Sequence, residues 1–280
     1  MQPEPFLYCG FAAALILSIA WRPWRKEDGE HLRGYIGNAL AWTAATFLAA
    51  RVMKGQLPSF PPTEAEHYWA YGVLLCTLPA ALEARSWRLA SVLGVSIFGA
   101  FAWLASAPLR ESYWEGNLAW FQVGAGVLLG LATMVLRPGP AASWARGPSY
   151  PGTLALATAM AAALLGQSYG GAAHVIGALA FVPAIVAILA MLRPERVYWP
   201  GLASSWSMGV PGMLVVAVWF AETPWSAAVL VALSAQLARL PLPARMSPRQ
   251  RAILHGALVV VVGGVALWLG YEPPASYDDY

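Results

Sequence analysis

The basic residues of this chain fall almost entirely into alternate gaps between long apolar runs. Ten runs approach or exceed the roughly 17–20 residues that an α-helix needs to cross the hydrocarbon layer of a bilayer. They cover approximately residues 6–21, 34–53, 68–82, 89–107, 114–136, 152–167, 171–192, 199–220, 225–240 and 252–271. One set of gaps holds Arg22, Arg25, Lys26 and Arg33; Arg85 and Arg88; Arg137 and Arg146; Arg193 and Arg196; and Arg239, Arg245, Arg249 and Arg251. The intervening set holds only Arg51, Lys54 and Arg110. Positive residues collect on the cytoplasmic side of spans, so fourteen against three orients the chain with both termini outside. A wrong span count would break the alternation. The expected fold is all-α: a polytopic integral membrane bundle of about ten transmembrane helices, N-out and C-out, with short loops, forming one domain over residues 1–280.

Composition agrees with lipid as the main solvent. Charged residues make up 11% of the chain and apolar ones 59%; a soluble domain carries about 25% charge. The net charge of +3 reflects helix orientation. A nucleic-acid reader would show a dense basic face, and none is present, so the bilayer is the expected partner and nucleic acid is not. The first run follows Met-Gln-Pro-Glu-Pro, which lacks the positive leader of a signal peptide. It reads as a retained span. Cys9 and Cys76 both lie inside apolar runs at different depths. A disulfide needs its Cα atoms within about 7 Å, so both read as buried free thiols. The alanine- and arginine-rich, lysine-poor composition points to a bacterial inner membrane.

Acids lean to the outer side: Glu64, Glu66, Glu111, Glu115, Glu222, Glu272, Asp278 and Asp279. They describe a mildly negative rim, most simply a solvated face. Trp21, Trp24, Trp69, Trp87, Trp114, Trp199, Trp219, Trp225 and Trp268 stand at or near span ends. Indole favours the headgroup level, so these read as membrane anchors. Gly126 with Gly130, and Gly263 with Gly264, read as points of close helix approach.

Ionisable groups inside a bilayer are functional suspects, and this chain has few. His174 lies about a turn into the seventh run from the outer side. It reads either as a proton-responsive or ligand-binding group or as an interhelical hydrogen bond to Tyr169, Gln167 or Glu222. His67 and His174 share the outer face with Glu64, Glu66 and Glu222, but their spacing is not that of a metal site. His255 enters from the opposite face, so a bis-histidine haem is not expected. His31 reads as solvated, and Glu83 with Arg85 as either an interfacial ion pair or snorkelling side chains. Glu115 and Gln122 share a helix face and line either an outer vestibule or a helix contact.

The seventh and eighth runs form the most irregular hairpin. Pro183 interrupts one; Met208-Gly209-Val210-Pro211-Gly212 interrupts the other, just after Ser204, Ser205 and Ser207. Proline frees a backbone carbonyl, which at membrane depth must meet protein or cavity water. Paired broken helices mark substrate sites in many transporters; the plain alternative is a static kink.

Sets for intramembrane hydrolysis or magnesium-dependent lipid-phosphate chemistry are missing, so an enzyme is not expected. No cofactor is expected either. A retinal protein would want a mid-membrane lysine, and an ion-coupled pump a buried central acid. Two functions stay open. One is a small permease for a neutral or weakly polar solute, with His174, Pro183, Ser204, Ser205, Ser207, Pro211 and Glu222 as candidate pathway residues. The other is a non-catalytic accessory or scaffold subunit of a larger membrane protein complex, with protein partners.

Overall fold

The computed structural model describes residues 4–22, 32–136, 147–193, 198–243 and 245–271. Trp24, Arg25, Lys26, His31, Arg137, Arg146, Arg196, Glu272, Asp278 and Asp279 lie outside that range. The described residues form thirteen α-helices, a 3-10 turn and no strand. In chain order the helices are α1 (Glu4–Trp21), α2 (Leu32–Lys54), α3 (Ala65–Leu75), α4 (Thr77–Glu83), α5 (Trp87–Ala105), α6 (Ala107–Ser112) and α7 (Asn117–Val135). There follow α8 (Ser149–Ser168), α9 (Gly170–Leu179), α10 (Phe181–Leu192), α11 (Leu202–Phe220), α12 (Trp225–Ser234), the 3-10 turn (Ala235–Arg239) and α13 (Pro248–Gly270).

Each apolar run is helical, but six helical stretches are both long and apolar enough to cross a membrane: α5, α7, α8, α9 continued by α10, α11 and α13. The other runs fall short of that length or hydropathy for physical reasons. The first and ninth runs are shorter. The second is 23 residues long but carries Arg33, Asn38, Arg51 and Lys54. The third is split at Cys76 into α3 and α4. Proline causes that split and its counterpart. Pro79 offers no N–H to the Leu75 carbonyl, and Pro183 none to Leu179, and the helix breaks three residues earlier in both cases, at Cys76 and Ala180. Starts are marked by caps: Ser86 accepts from the Leu89 N–H, and Ser247 with Gln250 forms a capping box ahead of Pro248.

The helices are arranged around α11. It packs on α7, α3, α2, α5, α8 and α12. Of its apolar window, 94% is buried by protein, against 28% for α13. Peripheral α13 leaves Ile253, Val261 and Trp268 on the outer surface. Large side chains enter gaps left by small ones. Gly126 faces Trp219 and Val215, Gly130 faces Phe98, and Gly263 faces Met160. These glycines admit a neighbour's bulk and do not bring backbones together. The tight backbone approach is elsewhere: a Cβ on Gly37 would lie 2.2 Å from the Ala20 Cβ, at the α1–α2 crossing.

The tryptophans divide. Trp87 and Trp268 are exposed, as anchors should be. Trp21, Trp69, Trp199 and Trp219 are buried within protein, as are Trp42 and Trp206. Those indoles are core. Their N–H groups must find partners inside the bundle or go without.

Candidate functional site

The seam between α2, the broken α3–α4 pair and α11 gathers polar groups at three levels. At one end, Lys54 closes α2 and pairs with Glu66 in the first turn of α3. Glu66 also accepts a hydrogen bond from the Tyr169 phenol, at the turn between α8 and α9. Burial pushes the Tyr169 phenol up from its ordinary value, and the negative charge of Glu64 adds to the shift. The loop before α3 folds back over this end. His67 Nδ1 lies 2.9 Å from Ser59 Oγ and 3.3 Å from Thr63 Oγ1, its Nε2 is 3.8 Å from Glu64, and the Tyr71 hydroxyl donates to the Pro58 carbonyl at 3.1 Å. Beneath them is a cavity of about 20 Å³, lined by Lys54, Glu66, His67, Trp69 and Met213. That is room for one water molecule.

Trp69, which lines the floor of this cavity, donates its indole N–H to the Gly209 carbonyl at 2.8 Å. Gly209 precedes Pro211, whose missing N–H leaves the Ser207 carbonyl without its helical partner. α11 runs unbroken through this proline, and the Trp69 indole ties it to α3 two residues earlier. Trp42 of α2 presses against Gly209 from another side. Its indole nitrogen is buried without a hydrogen-bond partner among the described residues. Met208 lies against Gly72, and a Cβ there would come within 2.5 Å of the methionine methyl. The middle level is thus two indoles and a flexible thioether around one buried glycine of α11.

At the other end Asn38 is fully buried. Its Nδ2 donates to the Tyr198 and Pro200 carbonyls at 2.7 and 2.8 Å, and its Oδ1 accepts from the Trp21 indole at 2.9 Å. The buried carboxylate of Glu83, at the end of α4, accepts from the Gly201 N–H. Gly201 adopts φ +78°, and a Cβ would stand 2.2 Å from the Tyr35 carbonyl oxygen, so only glycine fits there. One knot joins α1, α2, α4 and the entrance to α11.

Comparison with protein-family models, curated proteins and solved structures finds no match.

The residues singled out from sequence separate in space. Ser204, Ser205 and Ser207 are buried in α11, and the Ser205 hydroxyl donates to the Gly201 carbonyl. Pro211 lies on the seam. Pro183 does not, since α10 packs on α8 and α1. His174 turns its Nδ1 to the Gly170 carbonyl of its own helix at 2.7 Å, not to another helix. Glu222 lines a different, open cavity of about 410 Å³ with Gln167, Ser168, Thr223 and Tyr271. Gln122 accepts from the Trp225 indole at 2.9 Å, a helix contact. His255 meets the Leu240 carbonyl at 3.1 Å. Among the described residues no three His, Cys, Asp or Glu side chains converge as metal ligands.

Sequence reasoning passed over Asn38, Trp42 and the pairing of Trp69 with Gly209. One signal was available: Asn38 is one of two asparagines in the chain, and it stands inside an apolar run, where an amide is costly unless bonded.

Proposed function

We propose that the chain is a ten-span permease-like protein of a bacterial inner membrane, with both termini outside, that lets a neutral or weakly polar solute move along the α2/α3–α4/α11 seam. The observation that carries this reading is the order of groups along the seam. A paired polar lock stands at each end, and the buried Gly209–Gly212 stretch of α11, with Pro211 inside it, stands between them. The outer lock is Lys54–Glu66–Tyr169; the inner lock is Asn38–Trp21 with Glu83–Gly201. Between them Trp69 holds the Gly209 carbonyl and Trp42 presents an unmet N–H. A solute with an apolar body and a hydrogen-bond acceptor would suit that middle level. Charges along the seam are confined to its ends, which suits downhill passage of an uncharged solute and gives no site for a coupling ion. Glycine and methionine around the indoles leave freedom to move.

The test is uptake of small neutral solutes, such as polyols and amides, into vesicles reconstituted with the purified protein. Trp69→Phe keeps the ring and removes the bond to Gly209. It should change the uptake rate severalfold while costing about 0.5–1.5 kcal/mol of stability. Uptake no faster than in protein-free vesicles across the panel would sink the reading.

A second reading, an accessory subunit of a membrane complex, is favoured by one surface. Trp103 and Trp120 meet with centroids 5.4 Å apart on the exposed faces of α5 and α7, and the Arg110 guanidinium lies 3.7 Å over Trp103. Tryptophan and arginine are enriched where protein partners bind tightly. A photo-crosslinker at Trp120 that captures one protein at fixed stoichiometry would support this reading; lipid adducts alone would remove it.

A further inference from the structure

On the outside of the α1–α2 hairpin runs an open groove of about 480 Å³. Its walls are Ile16 and Ile19 of α1 and Ile36 and Leu40 of α2. Its floor is the Ala20–Gly37 crossing, where the helices touch because Gly37 has no side chain. Ile19 and Leu40 are 59% and 45% exposed, so the groove opens to the surroundings of the bundle. Its mouth carries two guanidinium groups, Arg22 just after α1 and Arg33 in the first turn of α2.

The geometry points to a binding site for one acidic glycerophospholipid, its phosphate between Arg22 and Arg33 and an acyl chain along the isoleucine-lined groove. Three observations converge. The lining is apolar below and doubly basic at one end, which is the charge order of an anionic lipid. Arginine presents a planar fork that matches phosphate oxygens. The groove has the right reach: six residues separate Ile16 from Arg22, about 9 Å at 1.5 Å per residue, which carries a chain from headgroup level well into the apolar layer. Arg22 also leaves α1 with φ +41°, a conformation uncommon for a bulky side chain. The site stands apart from the seam and does not depend on the transport reading.

The experiment reconstitutes the full chain in equal phosphatidylglycerol and phosphatidylcholine, extracts it in mild detergent and counts retained lipid by native mass spectrometry. Phosphatidylglycerol should be retained over phosphatidylcholine. Arg22→Ala should cut that preference about fivefold, the effect of one basic group near an anionic lipid. Ile19→Trp fills the groove without changing charge and should also lower retention. It carries the test alone if the arginine variant fails to fold. Arg88→Ala removes an exposed positive charge at the start of α5, outside the groove, and should change nothing. Equal retention of the two lipids would overturn the proposal. So would a loss in Arg88→Ala as large as in Arg22→Ala, full retention in Ile19→Trp, or displacement of the lipid by millimolar inorganic phosphate.

Discussion

Trp42 occupies the notch that Gly209 leaves by having no side chain: a Cβ on that glycine would stand 2.3 Å from the indole nitrogen. The two residues lie on helices far apart in the chain, so the fit records tertiary packing and not local propensity. It also fixes the sign of a simple substitution.

Gly209→Ala gains about 0.5–1 kcal/mol of helix propensity but forces an indole out of a filled space. Overpacking of this kind costs about 1–3 kcal/mol. The loss should win, with a lower Tm in detergent. Trp42→Phe in the same chain should return part of it, because residues in contact couple. A Gly209→Ala protein as stable as the parent would show that the notch is not filled.

Asn38 joins Trp21 to the loop that opens α11. Asn38→Ala leaves an indole N–H and two carbonyls unmet and should cost about 2–4 kcal/mol. Asn38→Asp keeps the acceptor for Trp21 but points a carboxylate at the Tyr198 and Pro200 carbonyls. It should be the worse variant at neutral pH. It should also recover as pH falls, once the protonated carboxyl can donate. Thermal melts of both across pH decide it; equal losses at every pH would contradict the assigned bonds.

Much of the architecture was legible because helix position depends on local facts. Apolar runs, flanking arginines, Pro79 and Pro183 lie within a few residues of what they control. The role of an indole does not. Trp69 and Trp268 both stand near the end of an apolar run, yet one is buried against Gly209 and the other faces outward. Which way a helix is turned, and whether a distant glycine leaves room, is decided by the assembled bundle. The candidate site was half legible for the same reason. Pro211 stands inside an unbroken α11, while Trp42, Trp69 and Asn38 come from elsewhere in the chain. Pro183 marked a real break, but in a helix that packs away from α11.

The Lys54–Glu66–Tyr169 cluster has a pH signature. Burial, helped by Glu64, raises the Tyr169 phenol in the folded protein. The folded state then holds the phenolic proton more tightly than the unfolded state. The stabilisation is complete below the unfolded value of 10.0 and is lost as pH climbs from there through the raised folded value. Melting temperature should fall at alkaline pH, and less steeply in Tyr169→Phe. Parallel alkaline limbs would remove the phenol from the lock.

His174 bonds within its own helix and lines neither the cavity beside Glu222, nor the one beneath His67, nor the Arg22–Arg33 groove. His174→Ala should therefore shift stability by no more than about 0.5 kcal/mol and leave the pH profile of uptake unchanged. A displaced profile would return His174 to the pathway.

The encirclement of α11 bears on how the molecule is built. The elements that surround it are synthesised on both sides of it: α2, α3, α5, α7 and α8 before, α12 after. Until residue 202 emerges from the ribosome, its predecessors can only form an open trough, lined by Asn38, Trp42 and Trp69 with their partners still to come. Biogenesis must hold that trough in the membrane, shielded, for the time taken to translate the helix that fills it. A chain stopped before α11 would be a natural client for membrane quality control.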